Sequence, residues 1–218
     1  MAEVQRHGLD FENWIRETFT NNAHGGSMTA KWDILNPSYK AKFARQVATY
    51  RGLPVSIKTC KYGTPINFGD ALRQYGNTED FLLIVGFWLR AGDGKKFVSV
   101  KAAKVTHKVW HQLFAEVITP GELKKDRLSS EEIKKKIEKL DLTIKSTARY
   151  RDARKKAREE KEKLPQMEIV LNPKIDSKNQ RRLQCSLPFQ TFWAKFAAEP
   201  AFQNQNCTFW SVEVPSLK

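Results

Sequence analysis

Cysteine is scarce in this chain of 218 residues, and the three that occur, Cys60, Cys185 and Cys207, are scattered. An odd number of widely separated cysteines fits neither a disulfide framework nor a zinc site, whose ligands recur at short spacings. We therefore expect free, packed thiols in a reducing compartment. The N-terminal residues also lack the charged-then-apolar pattern of a signal peptide, so we expect a cytoplasmic protein.

Long apolar runs are missing as well. The most apolar stretch, FLLIVGFWL (81–89), is far shorter than the roughly 20 residues that a helix needs to cross a bilayer. Its length is that of a buried strand. We expect no membrane-spanning segment.

Several catalytic patterns are absent from the sequence. It contains no G-x-S-x-G nucleophile elbow and no Cys–His grouping, and GDGKK (92–96) lacks the glycine spacing of a phosphate-binding loop. His107 and His111 have an i,i+4 spacing that can bind zinc, but no suitably placed acid or third ligand accompanies them. We expect a hairpin turn at 92–94 and no zinc site.

Acidic residues are the minority among the charges, 24 against 38 Lys and Arg, so the formal net charge is +14. A balance this basic favours a polyanionic partner. Nucleic acid is the first candidate, and an anionic membrane surface is the second.

The apolar periodicity predicts a mixed α/β fold with a central sheet of five or six strands flanked by helices. We expect three regions: a core at 1–119, a basic helical segment at 120–165, and strands and a helix at 166–218 that return to the core. The elements expected are helices at 10–19, 38–52, 71–77, 106–117 and 188–197, and strands at 28–35, 54–61, 81–91, 95–105, 167–172, 181–187 and 207–214. Asp10 is expected to begin the first helix, and Asp70 to cap the third.

The basic segment contains a capping signal, Ser129 or Ser130 before Glu131 and Glu132, and then a strongly charged helix. Most charged helices are simply solvated. Here basic residues occupy the first part and acids gather at the end, so a phosphate-contacting surface is equally plausible. This segment could clamp a nucleic acid, form a dimer contact, or do both.

Three charged residues are candidates for chemistry. Glu12 lies on the first predicted helix, Asp33 near the end of the first predicted strand, and Lys58 in the next strand. Carboxylates can hold Mg²⁺, which polarises a phosphate and lowers the pKa of bound water. A nearby lysine can orient that water or neutralise developing charge. Individually, each of the three residues more often has a structural or solvated role.

Three stretches in this order, RHGLDFENWI, AKWDI and GLPVSIKTCKYGTPINFGDALRQY, resemble the catalytic core of type II restriction endonucleases of the PD-(D/E)xK nuclease superfamily. The resemblance covers roughly residues 6–90. A later stretch, NPKIDSKNQRRLQCSLPF (172–189), is similar to a DNA-contacting segment of such enzymes. The resemblance implies a restriction-endonuclease-like core, Mg²⁺-dependent hydrolysis of DNA and a homodimer on a palindromic site.

By this resemblance, Asp33 is the metal-binding aspartate, Ser56-Ile57-Lys58 replaces the (D/E)xK tripeptide, and Glu12 is the helix-borne acid. The departure is Ser56, because the family has an acid there and a serine cannot supply a charged metal ligand. Our hypothesis is that Glu12 supplies the missing charge and that the Ile57 carbonyl and waters complete the metal shell. Asp70 is a reserve candidate.

The late segment is dense in side chains that suit base edges and phosphates. The candidates for DNA binding are Lys174, Asp176, Lys178, Asn179, Gln180, Arg181, Arg182 and Gln184. In the predicted strand, Arg182, Gln184 and Ser186 would project on one face. Arg6 and His7 could touch DNA or cap the chain end. For an average protein a polar hairpin would explain the whole segment, but the net charge and the nuclease-like core favour DNA contact.

The leading expectation is a site-specific double-stranded DNA endonuclease, a type II restriction enzyme. One alternative is a structure-specific nuclease that acts on junctions or damaged DNA. Another is a DNA-binding protein without catalysis, inactivated at Ser56. A homodimer is expected because two strands must be cut.

Overall fold

A computed structural model of the chain describes residues 3–21, 31–117, 128–176, 180–196 and 207–216, with side chains from residue 8 onward. Parts of some predictions lie outside these residues: the start of the strand at 28–35, the side chains of Arg6 and His7, the beginning of the basic segment, Lys178 and Asn179, and the end of the helix at 188–197.

The described residues form six α-helices and eight strands, together with two 3₁₀ turns, Ala41–Phe43 and Ala48–Tyr50. The helices are α1 (Glu3–Phe19), α2 (Ala71–Tyr75), α3 (His107–Gln112), α4 (Ser130–Ser146), α5 (Tyr150–Glu162) and α6 (Phe189–Phe196). The strands are β1 (Val55–Lys61), β2 (Ile66–Asp70), β3 (Phe81–Ala91), β4 (Gly94–Val105), β5 (Val170–Ile175), β6 (Arg181–Leu187), β7 (Thr208–Phe209) and β8 (Val212–Glu213). The prediction of a mixed α/β protein is confirmed.

The chain divides into two compact units. The first comprises Met1–Ile66, Glu79–His107 and Phe192–Lys218, and the second comprises Asn67–Thr78 and Lys108–Thr191. These boundaries differ from the predicted ones at 120 and 165. The reason is that β2 pairs with β6, which places residues 67–78 with the later part of the chain.

The first unit contains a small mixed sheet with the order β1-β3-β4. β1 runs parallel to β3, and β3 and β4 form an antiparallel hairpin whose turn includes Gly92 at a φ of 58°. The turn predicted at 92–94 is confirmed, since glycine adopts this left-handed conformation at little cost.

The core of the first unit lies between this sheet and α1. Phe11, Ile15 and Phe19 recur every four residues on α1, so they share one helix face, and all three are fully buried. The other face of β3 is also covered, because the Phe87 ring contacts Phe192 and Trp193 of α6. β3 is therefore apolar on both faces, which explains its continuous hydrophobic run.

The second unit contains a sheet with the order β2-β6-β5, in which β5 and β6 are antiparallel. Helices α4 and α5 pack against each other and against β6 and β5. The Ser129 side chain accepts a hydrogen bond from Glu132 N while Glu132 reaches back to Ser129 N, so the predicted capping box begins α4. The prediction that Asp70 caps α2 is also confirmed, because its carboxylate accepts from Arg73 N at 2.8 Å.

Several predicted elements are wrong in detail. The expected single sheet of five or six strands is, among the described residues, two three-stranded sheets and a β7–β8 hairpin. The hairpin replaces one last strand because Trp210 and Ser211 adopt positive φ and reverse the chain. The predicted helix at 38–52 forms only the two 3₁₀ turns, and Asp10 lies inside α1 rather than at its start.

All three cysteines are free and buried, as predicted. Burial raises the pKa of the Cys60 and Cys185 thiols to about 12, so both stay protonated and are poor nucleophiles. Across the described ranges, none of the helices has the length and apolar character needed to cross a membrane.

Candidate active site

The candidate site lies in the first unit, where residues 31–35 run beside the open edge of β1. The amides of Asp33 and Ile34 both donate to the Val55 carbonyl, and Val55 N donates to the Ile34 carbonyl. The pairing stops there because the Asp33 carboxylate, rather than a backbone carbonyl, accepts from Ile57 N. This explains why the strand predicted at 28–35 is only an isolated bridge in its described part, and it fixes Asp33 against β1.

Lys58 completes an ion pair with Asp33. Its Nζ lies 2.9 Å from Asp33 Oδ2 and 2.9 Å from the Ile57 carbonyl oxygen. The ammonium thus occupies a cation position between two of the three predicted metal ligands. Both side chains of the ion pair remain partly exposed, so a substrate can reach them.

Helix α1 brings Glu12 to the same place through Arg16. Arg16 donates to Glu12 Oε1 from Nε at 3.1 Å and from Nη2 at 2.6 Å, and Nη2 also donates to the Asp33 carbonyl oxygen. Arg16 is only 3% exposed. One buried guanidinium therefore ties the acid on α1 to the main chain of Asp33.

The surroundings of Glu12 include some groups that raise the pKa of its carboxyl and others that lower it. Burial raises the pKa of its carboxyl, and the nearby Asp33 charge raises it further, whereas Arg16 and Lys58 act to lower it. A carboxylate whose pKa is raised by burial and by a neighbouring negative charge is in an arrangement that a bound cation stabilises. The positive charges of Arg16 and Lys58 offset part of this repulsion in the structure.

These oxygen ligands fit a magnesium site in which the protein supplies only some of the ligands. The described residues contain no cluster of three or more His, Cys, Asp or Glu side chains that could form a closed metal cage. Mg²⁺ is commonly held by only one or two carboxylates together with waters and substrate phosphates. Asp33, Glu12 and the Ile57 carbonyl match that pattern, provided that Lys58 yields or shares its place between Asp33 Oδ2 and Ile57 O.

Two other candidates, both within the described residues, make no hydrogen bond to this cluster. Ser56 is 5% exposed, and no hydrogen bond joins it to Glu12, Asp33 or Lys58, all of which the structure describes. Its buried position on β1 accounts for an uncharged residue. Asp70, the reserve candidate, belongs to the second unit and is used as the cap of α2.

Sequence reasoning missed Arg16. The available signal was its i,i+4 spacing from Glu12, which favours an ion pair on a helix. Such pairs are usually exposed, and only the packed structure shows that this arginine lies beside the buried stripe of α1.

The predicted DNA-reading segment lies in the second unit, and its described members differ in exposure. Lys174 and Arg182 are exposed, whereas Gln184 is only 9% exposed and accepts from Asn67 Nδ2 at 3.4 Å. Ser186 is buried too, so Arg182, Gln184 and Ser186 share a face but do not project equally.

Local hydrogen bonds hold the residues that follow β5 and those that begin β6. Asp176 Oδ1 accepts from Gln180 N at 2.9 Å, and Gln180 Oε1 accepts from Arg182 Nη2 at 3.2 Å. Arg181 is half-buried and donates to the Ala148 carbonyl at 3.3 Å. Asp176 and Arg181 therefore have structural partners, whereas Lys174 and Arg182 keep their charges at the surface.

The basic face predicted on the charged helix is present on α5. Arg151, Lys155 and Arg158 are exposed, and none has an acidic partner within ion-pair distance among the described residues. The acid Glu160 instead pairs with Lys139 and Lys163. This leaves a positive surface on the first turns of α5 that suits phosphate groups.

The rings of His107 and His111 do not converge on one metal position. His107 Nδ1 lies 3.0 Å from Asp80 Oδ1, and His111 Nε2 lies 2.7 Å from the Asn77 carbonyl oxygen. Each ring thus has its own hydrogen-bond partner.

The chain matches no family model, and no curated protein and no solved structure shows significant similarity to it. The geometry of the site and the character of the surfaces are therefore the basis for a functional proposal.

Proposed function

We propose that the protein is a Mg²⁺-dependent endonuclease that cuts double-stranded DNA at specific sequences. The observation that carries this proposal is the cluster in the first unit: Asp33 and Lys58 joined at 2.9 Å, with Glu12 brought to them by Arg16. The restriction-endonuclease-like character of the core is part of the same proposal.

Each residue has a distinct role in this proposal. Asp33 and Glu12 would hold the metal ion, and the Ile57 carbonyl would add an uncharged oxygen. Bound Mg²⁺ would supply Lewis-acid polarisation of the phosphate and a more acidic water. Lys58, already positioned beside Asp33 Oδ2, stabilises negative charge on the phosphate or orients the attacking water.

Ser56 does not participate directly. Its burial and lack of hydrogen bonds to the cluster leave Glu12 as the second carboxylate. The protein therefore depends on the helix-borne acid more strongly than a nuclease with an acid at position 56 would.

The partner is proposed from charge. A net charge of +14 and the exposed cations of α5 favour a polyanion, and the phosphodiester backbone supplies both the attraction and the substrate of the cluster. We further propose a cytoplasmic homodimer, because free thiols persist in a reducing compartment and a two-strand cut needs two sites.

Digestion of a sequenced plasmid tests the proposal directly. The purified chain is incubated with plasmid, with branched DNA and with single-stranded DNA, each in Mg²⁺ or in EDTA. Discrete plasmid fragments that require Mg²⁺ are expected, and mapping their ends gives the recognised sequence.

The other outcomes separate the alternatives. Cleavage restricted to branched DNA would replace the proposal with a structure-specific nuclease. Salt-sensitive binding of duplex without cleavage in Mg²⁺ or Mn²⁺ would replace it with a DNA-binding protein that lacks catalysis.

A further inference from the structure

Arg16 is a buried cation that contacts both acids of the candidate site. Only 3% of its surface is exposed, although arginine is rarely buried unless it is paired. Its Nε and Nη2 donate to Glu12 Oε1 at 3.1 and 2.6 Å, and Nη2 also donates to the Asp33 carbonyl oxygen. One side chain is thus bonded to the carboxylate of Glu12 and to the main chain of Asp33.

Glu12 is held at the site through Arg16. No hydrogen bond joins Glu12 directly to Asp33 or Lys58, and within the described residues Arg16 is the hydrogen-bond partner of its carboxylate. Asp33, in contrast, is fixed against β1 by Ile57 N. Because Glu12 lies on a helix and Asp33 beside a sheet edge, Arg16 is the hydrogen-bonded link that fixes one acid relative to the other.

One oxygen of each carboxylate is left without a protein partner. Arg16 donates only to Oε1 of Glu12. Ile57 N and Lys58 Nζ both donate to Oδ2 of Asp33. In the part of the chain that the structure describes, Glu12 Oε2 and Asp33 Oδ1 therefore accept no hydrogen bond. The side chains of Glu12 and Asp33 are 21% and 25% exposed, so a small cation can reach them from solvent.

The stability of α1 does not account for an arginine at this position. Burial of two opposite charges costs free energy that their attraction roughly offsets, so apolar residues often replace a buried ion pair without loss of stability. Carboxylates that bind a metal ion, however, are commonly held in place by a hydrogen bond from a neighbouring group. The contacts of Arg16 match that second role.

We propose that Arg16 is a positioning residue for cation binding: it holds Glu12 Oε1 so that Glu12 Oε2 and Asp33 Oδ1 are available to one Mg²⁺ ion. This inference rests on the cluster being the metal site of the proposed function. It gives a role in the reaction to a buried residue outside the ligand set. Because position 56 is a serine, β1 offers no second carboxylate if Glu12 is displaced.

Arg16→Lys separates the position of the side chain from its charge. A lysine side chain keeps the positive charge but lacks the planar fork that bonds to Glu12 through two nitrogens and to the Asp33 carbonyl. We expect the affinity of the protein alone for Mn²⁺ to fall by about tenfold to a hundredfold. Mn²⁺ is the probe because it favours the same oxygen ligands as Mg²⁺, and electron paramagnetic resonance measures the free ion.

Arg16→Gln is the second variant, and it remains informative if Arg16→Lys does not fold. A neighbouring positive charge repels a metal ion. A role based on charge alone therefore predicts tighter Mn²⁺ binding in Arg16→Gln and unchanged binding in Arg16→Lys. The positioning role predicts weaker binding in both. A merely structural role predicts a lower thermal unfolding temperature and an unchanged Mn²⁺ affinity of the folded protein.

Lys145→Gln is the matched control. Lys145 pairs with the buried Asp141 at 2.6 Å, the same distance and i,i+4 spacing as the pair of Arg16 and Glu12, but it lies on α4 in the second unit. Its removal should leave Mn²⁺ affinity unchanged. Asp33→Asn gives the level of Mn²⁺ binding elsewhere on the protein.

A double-mutant cycle tests whether Arg16 acts through Glu12. In a Glu12→Gln background, Arg16→Lys should weaken Mn²⁺ binding no further, because the carboxylate that Arg16 positions is gone. An equal loss with and without the Glu12 carboxylate would overturn the inference.

The remaining outcomes separate this inference from the proposed function. Unchanged or tighter Mn²⁺ binding in the folded Arg16 variants would overturn it even if the wild type cuts DNA. A wild type that binds no more Mn²⁺ than Asp33→Asn would overturn it too. Mn²⁺ binding that depends on Arg16 and Glu12 in a protein that never cuts DNA would support the inference and contradict the proposed hydrolysis.

Discussion

The two three-stranded sheets differ in where they place polarity. The β1-β3-β4 sheet is apolar on both faces of β3, and the oppositely charged side chains of Asp33 and Lys58 meet at the edge strand β1. The β2-β6-β5 sheet buries Leu183 and Cys185 on one face, and its other face carries the exposed cations Lys174 and Arg182. The first sheet thus holds a pair of opposite charges at one edge, whereas the second carries exposed positive charge on one face.

This difference separates two kinds of chemistry. Hydrolysis needs opposed charges held close together in a partly buried setting, where electrostatic interactions are strong. Recognition of DNA needs exposed side chains that contact bases and phosphates. Changes in the first unit should therefore alter the rate at every site, whereas changes in the second should alter which sites are bound.

Lys58→Ala tests the first half of this comparison and should have the largest effect. Loss of an ammonium that stabilises charge in the transition state should lower the cleavage rate by about 10²–10³-fold. The fragment pattern should not change, because the second unit is untouched. The rate is measured on plasmid in Mg²⁺.

Lys61→Ala is the matched control, since Lys61 is an exposed lysine at the end of the same strand. It should cut at close to the wild-type rate. Equal losses in both variants would assign Lys58 a general electrostatic role in DNA binding.

Gly86→Ala tests the packing of the first sheet. A Cβ at position 86 would lie 2.6 Å from a ring atom of Phe97 and 2.8 Å from one of Phe11. Overpacking of this kind costs about 1–3 kcal/mol of the free energy of unfolding, which urea denaturation measures. A neutral result would show that the two rings can move aside.

Gly8→Ala is the matched substitution on α1. The nearest atom to its new Cβ is Thr59 Oγ1 at 3.9 Å, an ordinary contact. Alanine is favoured over glycine inside a helix by up to about 1 kcal/mol, so this variant should be more stable than the wild type.

Lys155→Ala tests the α5 surface and should have the smallest effect. Loss of one phosphate contact should weaken binding a few-fold for all duplexes alike and reduce the slope of log K against log[salt] by about 1. Lys163→Ala is the control, because Lys163 already pairs with Glu160 at 2.7 Å. A change of consensus in Lys155→Ala would contradict a backbone role.

Local signals predicted the elements that local chemistry determines. The capping box at Ser129, the cap at Asp70 and the turn at Gly92 each depend on residues within a few positions, and all are present. The strand β2 is not among the predicted elements, because it forms through pairing with β6, which lies more than 100 residues later in the chain.

Contacts between distant parts of the chain also limited the prediction of the candidate site. Asp33 and Lys58 were chosen from the order of the quoted stretches, and the structure brings them together. Arg16 could not be recognised as buried from its sequence, since its burial depends on α1 packing against the sheet. The hydrogen bond between Asn67 and Gln184 could not be predicted for a similar reason, because it requires the β2–β6 pairing.

The central claim is that the Asp33 cluster hydrolyses DNA with Mg²⁺. The most direct measurement is the rate of plasmid cleavage by Asp33→Asn, with folding checked by thermal unfolding and binding checked on the wild-type consensus. The account predicts a folded protein that binds this duplex and does not cut it. Cleavage at the wild-type rate by Asp33→Asn would contradict the account.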